Sequence, residues 1–302
     1  MHLNNKSIFL LSNPVLLPQV KFAILIVTYT SAKQTRRLIE CLNNGDFDFY
    51  IHVDKKVDIQ THRDLFDIPN VYFIEDRIDI KWAGYTTVQA ALSCIRQVVA
   101  SGIKYDFLNL VTGQDYPIKP AAYISDFLQQ NTGSEFMLFQ DFETDWTEAK
   151  ARVDRYHFTD LGFKGRHRLE KIVNFFTFKR KLPVDMHLYG KETFWTLSLD
   201  CAAYVANYID GNKKLSRFLR YTWGSDEFIF QSIIMNSDFK DRVVNKNYRY
   251  IDWPPGSARP KVLLTEDYDR IMASDSLFGR KFDINTDEHI LDLLDRANGI
   301  PL

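Results

Sequence analysis

Four short apolar runs, with helical patterns set between them, govern what this chain can fold into. Phe22-Ala-Ile-Leu-Ile-Val-Thr-Tyr29 is a continuous apolar run, as a strand covered on both faces requires. Phe49-Tyr-Ile-His-Val53, Asn70-Val-Tyr-Phe-Ile74 and Phe107-Leu-Asn-Leu-Val111 supply three more strands. After the first run, Leu38, Ile39 and Leu42 share a helical face. Between the third and fourth, Val88, Ala91, Leu92, Ile95 and Val99 mark a helix over Thr87–Val99. Strands alternating with helices predict an α/β fold with a mostly parallel central sheet. Further on, Thr193–Ser198 reads as a strand, Cys201–Ile209 as a helix, and Glu227–Met235 as a helix with Ser225 as its N-cap. Asp252-Trp-Pro-Pro-Gly256 breaks the chain, and Asp287–Ala297 forms a last amphipathic helix. Residues 141–190, rich in charge and aromatics, divide into several short pieces.

A length of 302 residues suits one large domain or two modest ones, and no linker or repeat divides it. Hydrophobic residues at 45% and charged residues at 25% exclude disorder over most of the chain. Lys and Arg (38) nearly cancel Asp and Glu (39), so no whole-chain basic footprint for nucleic acid exists. Cys41, Cys94 and Cys201 are scattered, with neither a disulfide framework nor zinc spacing. A reducing compartment follows. Ile8–Tyr29 is interrupted by Pro14, Pro18 and Lys21 and makes no transmembrane helix or signal peptide. Residues 1–20 read as an N-terminal extension whose Ile8-Phe9-Leu10-Leu11 could adhere weakly to a membrane.

Ligands of open α/β sheets sit beyond the carboxyl ends of the strands. There the chain places Thr28-Tyr29-Thr30, Asp54-Lys55-Lys56 and Gly113-Gln114-Asp115. It has no G-x-G-x-x-G, P-loop, nucleophile elbow or H-E-x-x-H. Asp54 either accepts hydrogen bonds from a ribose or base, or starts a turn. Gly84, in Trp82-Ala-Gly84, either admits a ligand close to the backbone or is a loop glycine. Gly113-Gln-Asp115 holds one carboxylate where a D-x-D metal pair would need two; Asp46-Phe-Asp48 and Asp267-Tyr-Asp269 follow no apolar strand. The pattern leans against a metal. Asp226 and Glu227, at a helix start, either complement the helix dipole or provide a general base. Arg249, Arg259, Lys261, Arg280 and Lys281 either neutralise a diphosphate in place of a metal or are ordinary surface charge.

The order of these pieces is more specific than any one of them. His52-Val-Asp-Lys-Lys56, Trp82-Ala-Gly84, Gly113-Gln-Asp-Tyr-Pro117, Ser225-Asp-Glu227, Arg249-Tyr-Ile-Asp-Trp253, Pro260-Lys261 and Leu277-Phe-Gly-Arg-Lys-Phe-Asp283 follow one another in one sequence. It resembles the core-2/I-branching β-1,6-N-acetylglucosaminyltransferase family, which includes the peptide O-xylosyltransferases (glycosyltransferase family 14), over roughly residues 21–297. The resemblance implies a single GT-A domain over 21–302, its Rossmann-like sheet flanked by helices. Residues 21–120 would bind the nucleotide sugar, and 121–302 would bind the acceptor and carry the catalytic residues.

The resemblance also implies inverting, metal-independent transfer from a UDP-sugar to a glycan hydroxyl, with no cofactor. GlcNAc is the first donor sugar and xylose the second. Glu227 would be the general base; to serve, it has to be ionised, which a helix N-terminus would favour. Asp54, Asp115, Lys261, Arg280 and Lys281 would hold the donor. Trp253, Arg155 and Glu135 would face the acceptor, in a region that also contains Lys150 and Arg152. Animal members carry an N-terminal anchor and disulfides, neither of which is evident here. A compact bacterial-type member is expected, cytoplasmic or at the inner face of the membrane, building surface polysaccharide. A lipid-linked oligosaccharide acceptor would require only peripheral membrane contact. Two alternatives stay open: a metal-dependent transferase with Asp115 and a second acid on Mn²⁺, and a non-catalytic nucleotide- or glycan-binding protein.

Overall fold

The computed structural model describes residues 20–257 and 259–301. The expected N-terminal extension, including Ile8–Leu11, lies outside the described residues but for Val20. The first half is β1 (Phe22–Thr28), α1 (Ala32–Leu42), β2 (Phe47–Val53), β3 (Val71–Phe73), α2 (Tyr85–Ala100), β4 (Phe107–Thr112), β5 (Asp115–Pro117) and α3 (Ala121–Gln130). Every element expected there forms. The second half is β6 (Glu135–Asp141), α4 (Lys150–Asp154), α5 (Arg166–Phe176), β7 (Tyr189–Leu197), α6 (Leu199–Gly211), α7 (Lys213–Leu219), α8 (Ile229–Met235), β8 (Val243–Asn245), β9 (Arg249–Ile251), α9 (Tyr268–Met272), β10 (Phe278–Arg280) and α10 (His289–Ala297).

The main sheet runs β3-β2-β1-β4-β7-β6-β8. Strands β1 to β4 are parallel to one another, whereas β7 is antiparallel to both β4 and β6. Helices cover both faces, which is why β1 is apolar throughout. Ala23 and Leu25 pack toward α2, and Phe22, Ile24 and Ile26 pack into the opposite layer with α1 and α10. A second small sheet, β5-β10-β9, stands beside the end of β4. There Arg280 pairs in register with Asp115 on one side and Ile251 on the other.

Ser225 is not the cap expected of it. Residues Ser225–Glu227 form a separate 3-10 turn, α8 begins only at Ile229, and the buried Ser225 hydroxyl finds no partner. The three cysteines are free and buried. Among the described residues, no helix is long and apolar enough to cross a membrane.

Candidate active site

Two clusters of charge meet around β7 at the carboxyl end of the parallel strands. The first begins where β4 turns into β5. Asp115 is fully buried, and its Oδ2 accepts from the backbone N–H of Thr112 at 2.7 Å and the Thr112 hydroxyl at 2.5 Å. Its Oδ1 has no hydrogen-bond partner among the described residues. Arg280 Nη1 lies 3.6 Å and Arg249 Nε 3.9 Å from this carboxylate, close enough for attraction without a hydrogen bond. Burial pushes the Arg249 guanidinium down to about 10, opposed by the Asp115 charge. The Arg280 guanidinium rests on the Phe194 ring, 4.1 Å from its centroid.

Distant parts of the sequence are clasped together here by Gln34 of α1. Its amide N–H₂ donates to Gly113 O (2.8 Å) and Phe282 O (3.1 Å), and its Oε1 accepts from Ile284 N (2.8 Å). Phe282 N in turn donates to Gln114 O at 2.9 Å. Gly113 is required, because a Cβ there would run into the hydroxyls of Thr28 and Thr30. Lys281, between Arg280 and Phe282, is half-buried, and its ammonium makes no ion pair or hydrogen bond among the described residues.

The second cluster is acidic. Two loops meet through a hydrogen bond from Gly224 N to Ala83 O (2.8 Å), with both residues left-handed, at φ +61° and +59°. Gly224 could not be replaced easily, since a Cβ would lie 2.7 Å from Arg152 Nη1. Ala83 holds this conformation without glycine's freedom, a local strain. The result sets Trp82 edge-on to Trp223, centroids 5.7 Å apart. Glu227 follows, its side chain 32% exposed, accepting a hydrogen bond from Arg152 of α4. Arg152 lies over both Trp146 (4.4 Å) and Trp223 (4.3 Å).

Asp226 points inward. Its Oδ2 accepts from the Thr193 hydroxyl at 2.8 Å, and its buried Oδ1 has no partner. Burial, then the charge of Glu227, push its carboxyl up to about 6. A cavity of about 50 Å³ lies beside it. Glu192, on β7, binds Asn247 Nδ2 at 2.8 Å; burial raises its carboxyl, Arg280 pulls it down and Glu227 pushes it up. Adjacent residues of β7 touch both clusters: Thr193 donates to Asp226, and Phe194 carries Arg280. A cleft of about 580 Å³ opens beside Trp82 and Trp223, with Lys56, His157 and Arg166 also on its wall.

A family model described as "Core-2/I-Branching enzyme" matches residues 20–272. The chain belongs to the core-2/I-branching enzyme family. Xylosyltransferase oxt of Drosophila pseudoobscura pseudoobscura is 23% identical over 88% of this chain and 32% of its own length. Human xylosyltransferase 2 is 24% identical over 92% of this chain and 34% of its own. The chain therefore spans about a third of the length of the curated relatives it matches. Among solved structures, mouse xyloside xylosyltransferase 1 covers 88% of this chain and 99% of its own at 9% identity and a TM-score of 0.40, too loose a likeness to carry an argument.

In this core-2/I-branching chain, Asp115 and Arg280 lie side by side, Lys281 follows Arg280 at the end of β10, and Glu227 stands by β7 with Arg152. Asp54 lies at the end of β2, buried, its carboxylate accepting from Lys56 N (2.9 Å) and pairing with Lys56 Nζ (3.2 Å). It starts the turn, with both carboxylate oxygens engaged by Lys56. Trp253 stands half exposed in the irregular loop after β9. Arg155 is exposed, and its carbonyl accepts from Arg180 at 2.9 Å.

Two expectations need correction. Glu135 is fully buried where β6 begins, level with the start of β4 and so at the opposite end of the sheet. There it accepts from Ser198 N and Oγ (2.7 Å each) and pairs with Arg242, a structural fastening of α6. Lys261 spends its charge on Asp267 (2.8 Å) and Glu266 (3.0 Å). Of the two readings of Gly84, the structure fits the loop glycine, whose open side holds the Asp160 side chain. Both D-x-D strings also lie in structural settings: Asp48 binds Tyr105 and Lys21, and Asp267 fastens Lys261 and Arg270. Among the described residues, no three His, Cys, Asp or Glu converge to hold a metal ion. Sequence reasoning missed Glu192, Gln34 and Thr193, which belong to no motif and matter only through their distant partners.

Proposed function

We propose that this protein is an inverting GT-A-type glycosyltransferase that moves a sugar from a UDP-sugar to an acceptor hydroxyl, with Glu227 as general base. The observation that carries the reading is a half-open carboxylate, fixed by an arginine stacked on two tryptophans, beside the same strand β7 whose Phe194 carries Arg280. Glu227 accepts the acceptor's O–H proton while that oxygen bonds to the sugar C1. The C1–O bond to the diphosphate breaks on the opposite face, and its electron pair leaves with UDP. Lys281 and Arg280 stabilise the charge that grows there, which favours the transition state over the bound donor. Asp54 meets the uridine, and Trp253 offers an apolar face to an acceptor sugar. Holding both substrates together supplies much of the remaining rate.

The metal-free form of this reading is supported by the surroundings of Asp115. Its one hydrogen-bonded oxygen serves Thr112, and two guanidiniums stand beside it. A divalent cation there would meet like charge. Lys261 acts as a fastener of its loop, so Arg280 takes the place of the second cation. The two donors to test first are UDP-GlcNAc and UDP-xylose, the latter because the curated relatives are named xylosyltransferases.

The test is thermal unfolding with each UDP-sugar, UDP and unrelated nucleotides, with and without EDTA. A ligand raises Tm only by binding the folded state in preference to the unfolded one. One UDP-sugar should raise it, equally in EDTA, and should then be consumed by the wild-type protein. No shift with any of them would overturn the donor-site reading and favour a glycan-binding protein; a shift abolished by EDTA would replace it with a metal-dependent site.

A further inference from the structure

Helix α5 is amphipathic with its faces reversed. Its inward side is polar: Asn174 bonds both the N–H and the carbonyl of Tyr156 (2.7 Å each), Glu170 accepts from Phe158 N (3.0 Å), and Arg166 donates to Thr159 O (3.0 Å). None of its residues is buried. Its outward side carries Leu169, Ile172 and Phe176, spaced to form one stripe. Phe175 lies beside them and Phe178 just past the helix end. Phe175, Phe176 and Phe178 are 80%, 79% and 96% exposed. Single exposed apolar residues are ordinary, but a contiguous set this large marks a contact surface.

The exposed charges around the stripe are mostly basic, with Lys179 pairing with Asp154 at 3.2 Å. Lys164, Arg168, Lys171, Lys179 and Lys181 are all exposed. Across residues 161–182 the only acid is Glu170, which faces inward, 3.4 Å from His157. We propose that this face docks the protein on a membrane surface rich in anionic lipid. The phenylalanines would enter the acyl boundary while the lysines and Arg168 meet the headgroups.

The charge selects this occupant. A second copy joined by a two-fold axis would set these cations against themselves. Arg166 and His167 of the same helix line the 580 Å³ cleft that Trp82 and Trp223 also line. Docking therefore brings that cleft to the headgroup layer, where a lipid-linked acceptor would present its sugar. The proposal does not depend on which sugar is moved, since its test reads no turnover.

The full chain is floated with vesicles of phosphatidylcholine alone and of equal parts phosphatidylcholine and phosphatidylglycerol. It should float with the anionic vesicles only, and less in high salt. A chain carrying Phe175→Ser, Phe176→Ser and Phe178→Ser should bind at least about tenfold more weakly with an unchanged Tm. Lys171→Glu with Lys179→Glu should weaken binding without touching the rings. No flotation with anionic vesicles would overturn the proposal. So would undiminished binding by the triple variant, which would move adhesion to another surface such as residues 1–19. Binding to soluble polyglutamate in place of vesicles would assign the face to an acidic protein.

Discussion

At the Glu227 end of the candidate site, the carboxylate is a third exposed and its partner Arg152 lies over two tryptophan rings. At the Lys281 end, the neighbouring Arg249 and Asp115 are sealed from solvent and Arg280 is pressed against Phe194. On the proposed mechanism, the first arrangement would leave Glu227 reachable by a substrate that arrives with its hydroxyl. The second holds its guanidiniums in place by burial, so that on the proposed mechanism little would have to reorganise when charge moves onto a leaving group. The acidic end is also built from contacts that aromatic stacking can adjust. The cationic end depends on hydrogen bonds that join segments far apart in the sequence.

Substitutions can break this contrast. Glu227→Gln should lower kcat by about 10³-fold while leaving donor-induced stabilisation intact, as steady-state kinetics and thermal shift would show. Unchanged turnover would remove Glu227 from the mechanism. Lys281→Ala should cost about 10²-fold in kcat/KM for the donor and, unlike Glu227→Gln, should also abolish the Tm gain from UDP. Arg152→Lys keeps the charge and loses the planar stack. A drop in kcat on the order of tenfold with an unaltered donor KM is expected; wild-type kcat would mean that charge alone positions Glu227.

The smallest effect is on stability. The Asp226 carboxyl is pushed up from 3.8 to about 6 in the folded protein, so the folded state keeps a proton there that the unfolded chain releases. Its contribution is full below the ordinary value and is lost as pH rises through about 6. Asp226→Asn, always neutral, should therefore melt about 3 °C higher above that range and match the wild type in more acidic solution. A scan of Tm against pH checks both halves.

The parallel half of the fold was legible because its signal is local. β1 and α2 declare themselves through burial on both faces or one helical face, and neighbouring residues suffice to show it. The site was legible in part. Glu227, Asp115, Arg280 and Lys281 stand in short strings whose order is informative. Glu135 was misplaced because β6 runs antiparallel to β7, and nothing near Glu135 records the direction of its strand. Lys261 looks the same in sequence whether or not Asp267 holds it. Helix α5 has the periodicity of α10, whose Ile290, Leu291 and Leu294 are buried, yet it turns its apolar stripe outward. Periodicity reports that a helix has two faces; the packing of the remaining chain decides which one is covered.

The Gln34 clasp has a consequence for the order of assembly. It ties residues as much as 250 positions apart, and such pairings form late because their loop must close first. A nascent chain emerging from the ribosome therefore folds its parallel strands while the corner around Gly113 and Phe282 is still unmade. A protease that nicks the segment after Lys281 would undo the clasp and loosen α10, whose Ile290, Leu291 and Leu294 belong to the core.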